Sequence, residues 1–133
     1  MKIKILAAGL SLLASGALHA DEPRPFDMES TRRFTQQDGD SLFKGVCAAC
    51  HMPDAIGATG AATYPALAKN EKLAAASYPV MMVMNGHGGM PSFRNSMTDI
   101  QIAAVVGYVR THFGNSYADP VSPDDVRQVR EAR

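Results

Sequence analysis

The sequence predicts an all-α fold of three to five short helices. Three observations carry the expectation. Apolar residues recur with a period near 3.6, no segment alternates convincingly with period 2, and helix-capping signals stand at helical spacings. A length of 133 residues suits one small domain, with no internal repeats and no second domain.

The chain opens Met1-Lys2-Ile3-Lys4, stays apolar from Ile5 to Leu18 and turns polar after His19-Ala20. A basic start, a short apolar run and a small residue before a polar shift describe a secretory signal peptide over residues 1–20, with a cut after Ala17 as the other position. The run falls short of the roughly 20 residues that span a bilayer, and no cysteine near the boundary offers a lipid anchor. No stable membrane insertion is expected after cleavage, and the periplasm is the expected location. Removing residues 1–20 leaves 113, with 11 basic and 13 acidic side chains, because the signal holds Lys2 and Lys4 and no acid. So small an imbalance gives no reason to expect nucleic acid or an anionic membrane surface as partner.

Residues 21–37 carry Pro23, Pro25 and mixed charge without periodicity, and read as an extended N-terminal arm. The domain proper is expected over 38–114. Its first helix starts at Asp38, a good N-cap, and Phe43, Cys47 and Cys50 fall on one helical face. From Met52 to Lys69 the glycines, alanines and prolines read as a loop, in which Pro65 and Leu67 stand out. Asn70 is placed to cap a short helix from Glu71 to Ala76. Another helix runs from Pro79, a first-turn proline, to Asn85, and is ended by the glycines at 86, 88 and 89. The strongest helix covers 98–113. Thr98 with Gln101 makes a capping box, Gly114 supplies the stop, and Ile102, Val106, Val109 and Phe113 form one apolar stripe. Ala103 and Gly107 are small enough to admit another helix. The tail, 115–133, has its own start signal in Ser122-Pro123-Asp124-Asp125, and Val121, Val126 and Val129 are placed to dock a short helix.

The stretch Cys47-Ala48-Ala49-Cys50-His51 carries the chemistry. Its spacing is that of a c-type haem attachment site: two thiols bond the porphyrin covalently and the following histidine presents an imidazole to the iron. A thioredoxin-like redox pair would sit among alternating strands and helices, which are missing here. A zinc site would need two more ligands, and beyond the signal segment only His87 and His112 remain as further histidines. One covalently attached haem c, with its iron, is therefore expected. It would consume both cysteines of the chain and leave no disulfide.

The sixth iron position decides what such a protein does. Met52 is adjacent to His51 and cannot reach the other haem face, Met28 lies in the arm, and Met97 precedes a helix cap as staple material. Met81, Met82 and Met84 stand at helical spacing among valines, as core residues do. Met90 lies in Gly88-Gly89-Met90-Pro91, an irregular loop whose glycines permit close approach to a porphyrin. Met90 is preferred, with His87 or an open site as the alternatives. His112 is off the apolar stripe and reads as a surface residue.

With these residues in place, the chain resembles class I monohaem c-type cytochromes over about residues 38–113. The likeness rests on Leu42-Phe43 before the haem motif, on Tyr64-Pro65-Ala66-Leu67, on Gly89-Met90-Pro91 and on Val106-Gly107-Tyr108-Val109. It implies a cytochrome c-like fold in which Cys47 and Cys50 hold the haem and His51 and Met90 are axial. The Pro65 carbonyl would accept the free imidazole N–H of His51, and Phe43 and Tyr108 would mark the crossing of first and last helices. Tyr64 departs from the glycine often found before that proline. Segments 85–93, 100–106 and 111–115 and the tail are similar to cytochrome c subunits of periplasmic dehydrogenases.

The resemblance implies a single-electron carrier and not an enzyme in its own right. A partner dehydrogenase would be its donor, and another cytochrome or a terminal oxidase on the way to the respiratory chain its acceptor. The alternative is a haem enzyme or gas sensor whose sixth ligand is labile or absent.

Overall fold

The computed structural model describes residues 34–60 and 62–132. The signal segment, most of the N-terminal arm and Met28 lie outside these residues. The order is α1 (Gly39–Leu42), a π-helical segment (Phe43–Cys47), α2 (Ala48–His51), β1 (Ala58–Thr59), β2 (Thr63–Tyr64), a 3-10 turn (Glu71–Leu73), α3 (Ser77–Asn85), α4 (Asp99–Thr111) and α5 (Pro123–Glu131). Helices dominate, as the periodicities imply.

The helix from α1 through the π segment to α2 runs without a break. Asp38 starts it by accepting the Ser41 N–H at 2.8 Å. The π segment ends where the Ala48 N–H reaches back five residues to the Phe43 carbonyl, a local widening common at functional positions. α4 begins with the expected capping box: the Thr98 side chain accepts the Gln101 N–H and the Gln101 side chain accepts the Thr98 N–H. α5 begins with the same device from Ser122 and Asp125.

α1 and α4 cross at Gly39. A Cβ there would run into the Ala104 carbonyl and the Tyr108 Cβ, so glycine permits the close approach. The sequence instead points to Ala103 and Gly107 as the contact. Ala103 is buried, whereas a Cβ at Gly107 would point into open space. Phe43 lies under the crossing, with its ring 5.9 Å from that of Tyr108 and 4.6 Å from that of Phe113. Leu42, Phe43, Ile102, Val105 and Val106 form the core there with almost no exposure.

Several boundaries move. The segment from Glu71 is a single 3-10 turn capped by Asn70, not a helix to Ala76. α3 starts two residues before Pro79. Of its methionines only Met84 is in the core; Met81 is 44% exposed. α4 stops at Thr111, because Phe113 and Gly114 adopt positive φ of 57° and 79°. The freed carbonyls of Val109 and Arg110 are taken by Asn115 Nδ2 and the Tyr117 N–H. Phe113 thus leaves the helix yet still reaches Phe43. The loop from Met52 to Lys69 contains a two-residue antiparallel ladder pairing Ala58 with Tyr64 and Thr59 with Thr63, too short for a period-2 pattern to reveal.

Candidate functional site

Cys47 and Cys50 stand on the same helical run as His51. Both thiols are free and partly buried. Burial and the neighbouring Cys50 push the Cys47 thiol up to about 11, which keeps it neutral in its apolar surroundings. His51 is 7% exposed. Its Nδ1 lies 2.9 Å from the Pro65 carbonyl oxygen. A carbonyl can only accept, so Nδ1 carries a proton, and in the neutral ring the lone pair is then the one on Nε2.

The intervening loop delivers that carbonyl by a series of backbone constraints. Met52 leaves α2 at φ 66° and Ala55 bends again at φ 60°. Gly57, at φ 70°, packs so closely on Tyr64, Pro65 and Ala66 that a Cβ would clash with their backbone. The N–H groups of Leu67 and Ala68 both donate to the Ala55 carbonyl, at 2.8 and 2.9 Å. Asn115 ties the loop to the end of α4. Its amide donates to the Leu67 carbonyl and its oxygen accepts the Asn70 N–H, each at 2.9 Å.

Met90 is half-buried in a tight turn whose ends are His87 and Met90 themselves. The two residues exchange backbone hydrogen bonds of 3.1 and 3.0 Å. Gly86, at φ 70°, leaves α3 and admits the Met90 and Pro91 backbone where a Cβ would not fit. Ser92 Oγ donates to the Met84 carbonyl at 2.6 Å, and the Phe93 N–H to that of Val83 at 3.0 Å. His87 and His112 are exposed; His112 stacks on Tyr108 with ring centroids 4.0 Å apart.

Sequence reasoning missed the polar groups that hold these pieces. Gln101 donates from Nε2 to the Phe34 and Gln36 carbonyls, both at 2.7 Å, and so fixes residues 34–36 on the domain. Arg110, fully buried, donates to the carbonyls of Leu73, Ala74 and Asp119 and pairs with the Asp119 carboxylate at 2.7 Å. The signal for Arg110 is its place four residues after Val106, on the apolar face of α4.

Among the described residues no three His, Cys, Asp or Glu side chains gather as a metal cluster. One oriented, half-satisfied imidazole beside two thiols on one helix is instead the donor set of a covalently held porphyrin. A small helical domain built round such a set is a c-type cytochrome. Residues 34–109 match the family model described as cytochrome c oxidase, cbb3-type, subunit III, and the chain belongs to that family. Its cofactor is covalently bound haem c with iron, for which Cys47, Cys50 and His51 supply the CxxCH motif.

The chain is 36% identical over 107 residues to the fructose dehydrogenase cytochrome subunit of Gluconobacter japonicus, covering 70% of this chain and 22% of that protein. It is 27% identical over 123 residues to the alcohol dehydrogenase (quinone) cytochrome c subunit of Gluconacetobacter polyoxogenes, covering 83% and 26%. It is 38% identical over 73 residues to cytochrome c6 of Leptolyngbya boryana, covering 53% and 85%. The chain thus spans about a quarter of the length of the dehydrogenase subunits it matches. Family and relatives together support electron transfer as its work. No helix among the described residues is long and apolar enough to cross a membrane.

Proposed function

We propose that the protein is a periplasmic monohaem cytochrome c that passes single electrons from a dehydrogenase toward the respiratory chain, through another cytochrome or a terminal oxidase. The observation that carries the reading is the His51–Pro65 hydrogen bond on the helix that bears both thiols. It leaves Nε2 as a fixed donor for iron. Haem c supplies the one-electron couple, and the residues set its potential and its access.

In this reading Cys47 and Cys50 would form the two thioethers, and His51 Nε2 and the Met90 thioether would ligate the iron. With both ligand positions taken by side chains the iron would offer no site for a substrate, so no general base or nucleophile is assigned. A thioether ligand favours the ferrous state and raises the potential. Residues 1–20 serve as the export signal, and 38–114 form the cytochrome domain. The dehydrogenase as donor is supported by the names of the relatives, in which cytochrome subunits accompany fructose- and alcohol-oxidising enzymes.

The test is a potentiometric titration of the haem-loaded protein, followed by rapid mixing of the oxidised form with a periplasmic dehydrogenase and its substrate. A single one-electron wave and reduction within the enzyme's turnover time support the carrier. A wave that shifts with added small ligands, or reduction far slower than turnover, refutes it.

A further inference from the structure

The tail helix α5 is tied to the segment that carries Met90. Arg130 is the knot. Its Nε donates to Asp99 Oδ1 and its Nη1 to the Arg94 carbonyl, at 2.8 and 2.6 Å. Arg94 answers: its Nη1 donates to the Arg130 carbonyl at 3.1 Å and its Nη2 to Asn85 Oδ1 at 2.8 Å. Two arginines thus each bind the other's backbone, joining the last turn of α5, the end of α3 and the stretch just after Met90. Val126, with no exposure, anchors α5 in the same core, and Val121 and Val129 pack at its edge.

The Met90 segment has other contacts as well. These are the His87–Met90 turn, the bonds from Ser92 and Phe93 back to α3, and the Met97 N–H to the Phe93 carbonyl at 2.9 Å, with Met97 in the core. Downstream, from Arg94 to the start of α4, the Arg130 guanidinium spans Arg94, Met97 and Asp99. The match to the family model ends at residue 109, before α5 begins. The brace is therefore supplied by a part of the chain outside the matched region.

We propose that Arg130 is a positioning residue for the sixth ligand: α5, through the Arg130–Arg94 interlock, holds residues 86–97 so that the Met90 thioether stays on the iron. This rests on the reading of Met90 as that ligand. A planar guanidinium suits the role because it meets a carboxylate and a carbonyl at once, which a lysine ammonium does not do in the same fixed geometry.

The test compares wild type, Arg130→Ala and Arg130→Lys as haem-loaded full-length protein, by amide hydrogen exchange and by the weak far-red band of ferric iron bound to methionine. In Arg130→Ala, peptides from 86–97 should exchange about tenfold faster and the band should weaken, while peptides from 48–51 keep the wild-type rate. Arg130→Lys should fall between and guards against a variant that fails to fold. Wild-type exchange over 86–97 together with a loosened α5 would overturn the brace. A wild type without the far-red band, whose loop still loosens in Arg130→Ala, would instead sink the Met90 reading and the proposed effect on iron with it.

Discussion

The imidazole of His51 and the carbonyl of Pro65 meet at 2.9 Å across fourteen residues of chain. Gly57 is what allows the loop to close that distance, since it sits at φ 70° against the backbone of Tyr64 and Pro65. Gly57→Ala should therefore cost about 2 kcal/mol in denaturant unfolding of the haem-loaded protein. It should also raise the reduction potential, because an imidazole that loses its carbonyl acceptor is a poorer electron donor to iron. Potentiometry beside the unfolding curve checks both.

Two glycines on the crossing helices should respond oppositely. Gly39→Ala would drive a methyl into Ala104 and Tyr108 and force α1 from α4, costing about 2 kcal/mol. Gly107→Ala meets open space inside a helix and should be neutral or stabilising by up to about 1 kcal/mol. Urea midpoints of the two variants decide the matter.

Tyr108 donates to Asp40 at 2.8 Å, and Lys44 pairs with the same carboxylate at 2.7 Å. The Lys44 hydrogen bond, then that of Tyr108, holds the Asp40 carboxyl below its ordinary range. The Asp40 bond in turn raises the Tyr108 hydroxyl above its own. For a lowered carboxyl, stability is present above the unfolded value and lost as pH falls through the folded one. For a raised phenol it is present below the unfolded value and lost as pH rises through the folded one. Tyr108→Phe should flatten the fall at both ends, below about pH 4 and above about pH 10. At the acid end part of the fall remains, because Lys44 stays. Thermal unfolding across pH measures it.

Arg110 ties the turn after Asn70 and the segment at Asp119 to the last turn of α4. Arg110→Met should cost about 3 kcal/mol, since it leaves the buried Leu73 carbonyl unpaired and removes the further bonds to Ala74 and Asp119. The reduction potential should stay unchanged. A potential that moved with the unfolding midpoint would place Arg110 in the haem environment instead.

What the sequence disclosed was local chemistry. The caps at Asp38 and Ser122 and the box at Thr98–Gln101 are legible because their signals lie within three residues of one another. The haem motif is legible for the same reason. Gln101 shows the limit: its capping role is local and legible, while its grip on Phe34, 67 residues away, is not. Arg130 on Arg94, Asn115 on Leu67 and Gly39 against Ala104 are likewise products of the folded topology. The Pro65 acceptor was accessible only through resemblance, because nothing in its own neighbourhood names His51 as its partner.

The central claim is that Met90 closes the iron. The most direct measurement is the visible spectrum of haem-loaded wild type and Met90→Ala, oxidised and reduced, before and after carbon monoxide. Wild type should show the far-red ferric–methionine band and ignore the gas. Met90→Ala should lose the band, bind carbon monoxide and fall in potential by on the order of 100 mV. A wild type that lacks the band and shifts under carbon monoxide would contradict the account, and would make the protein a ligand-binding haem domain with an open iron.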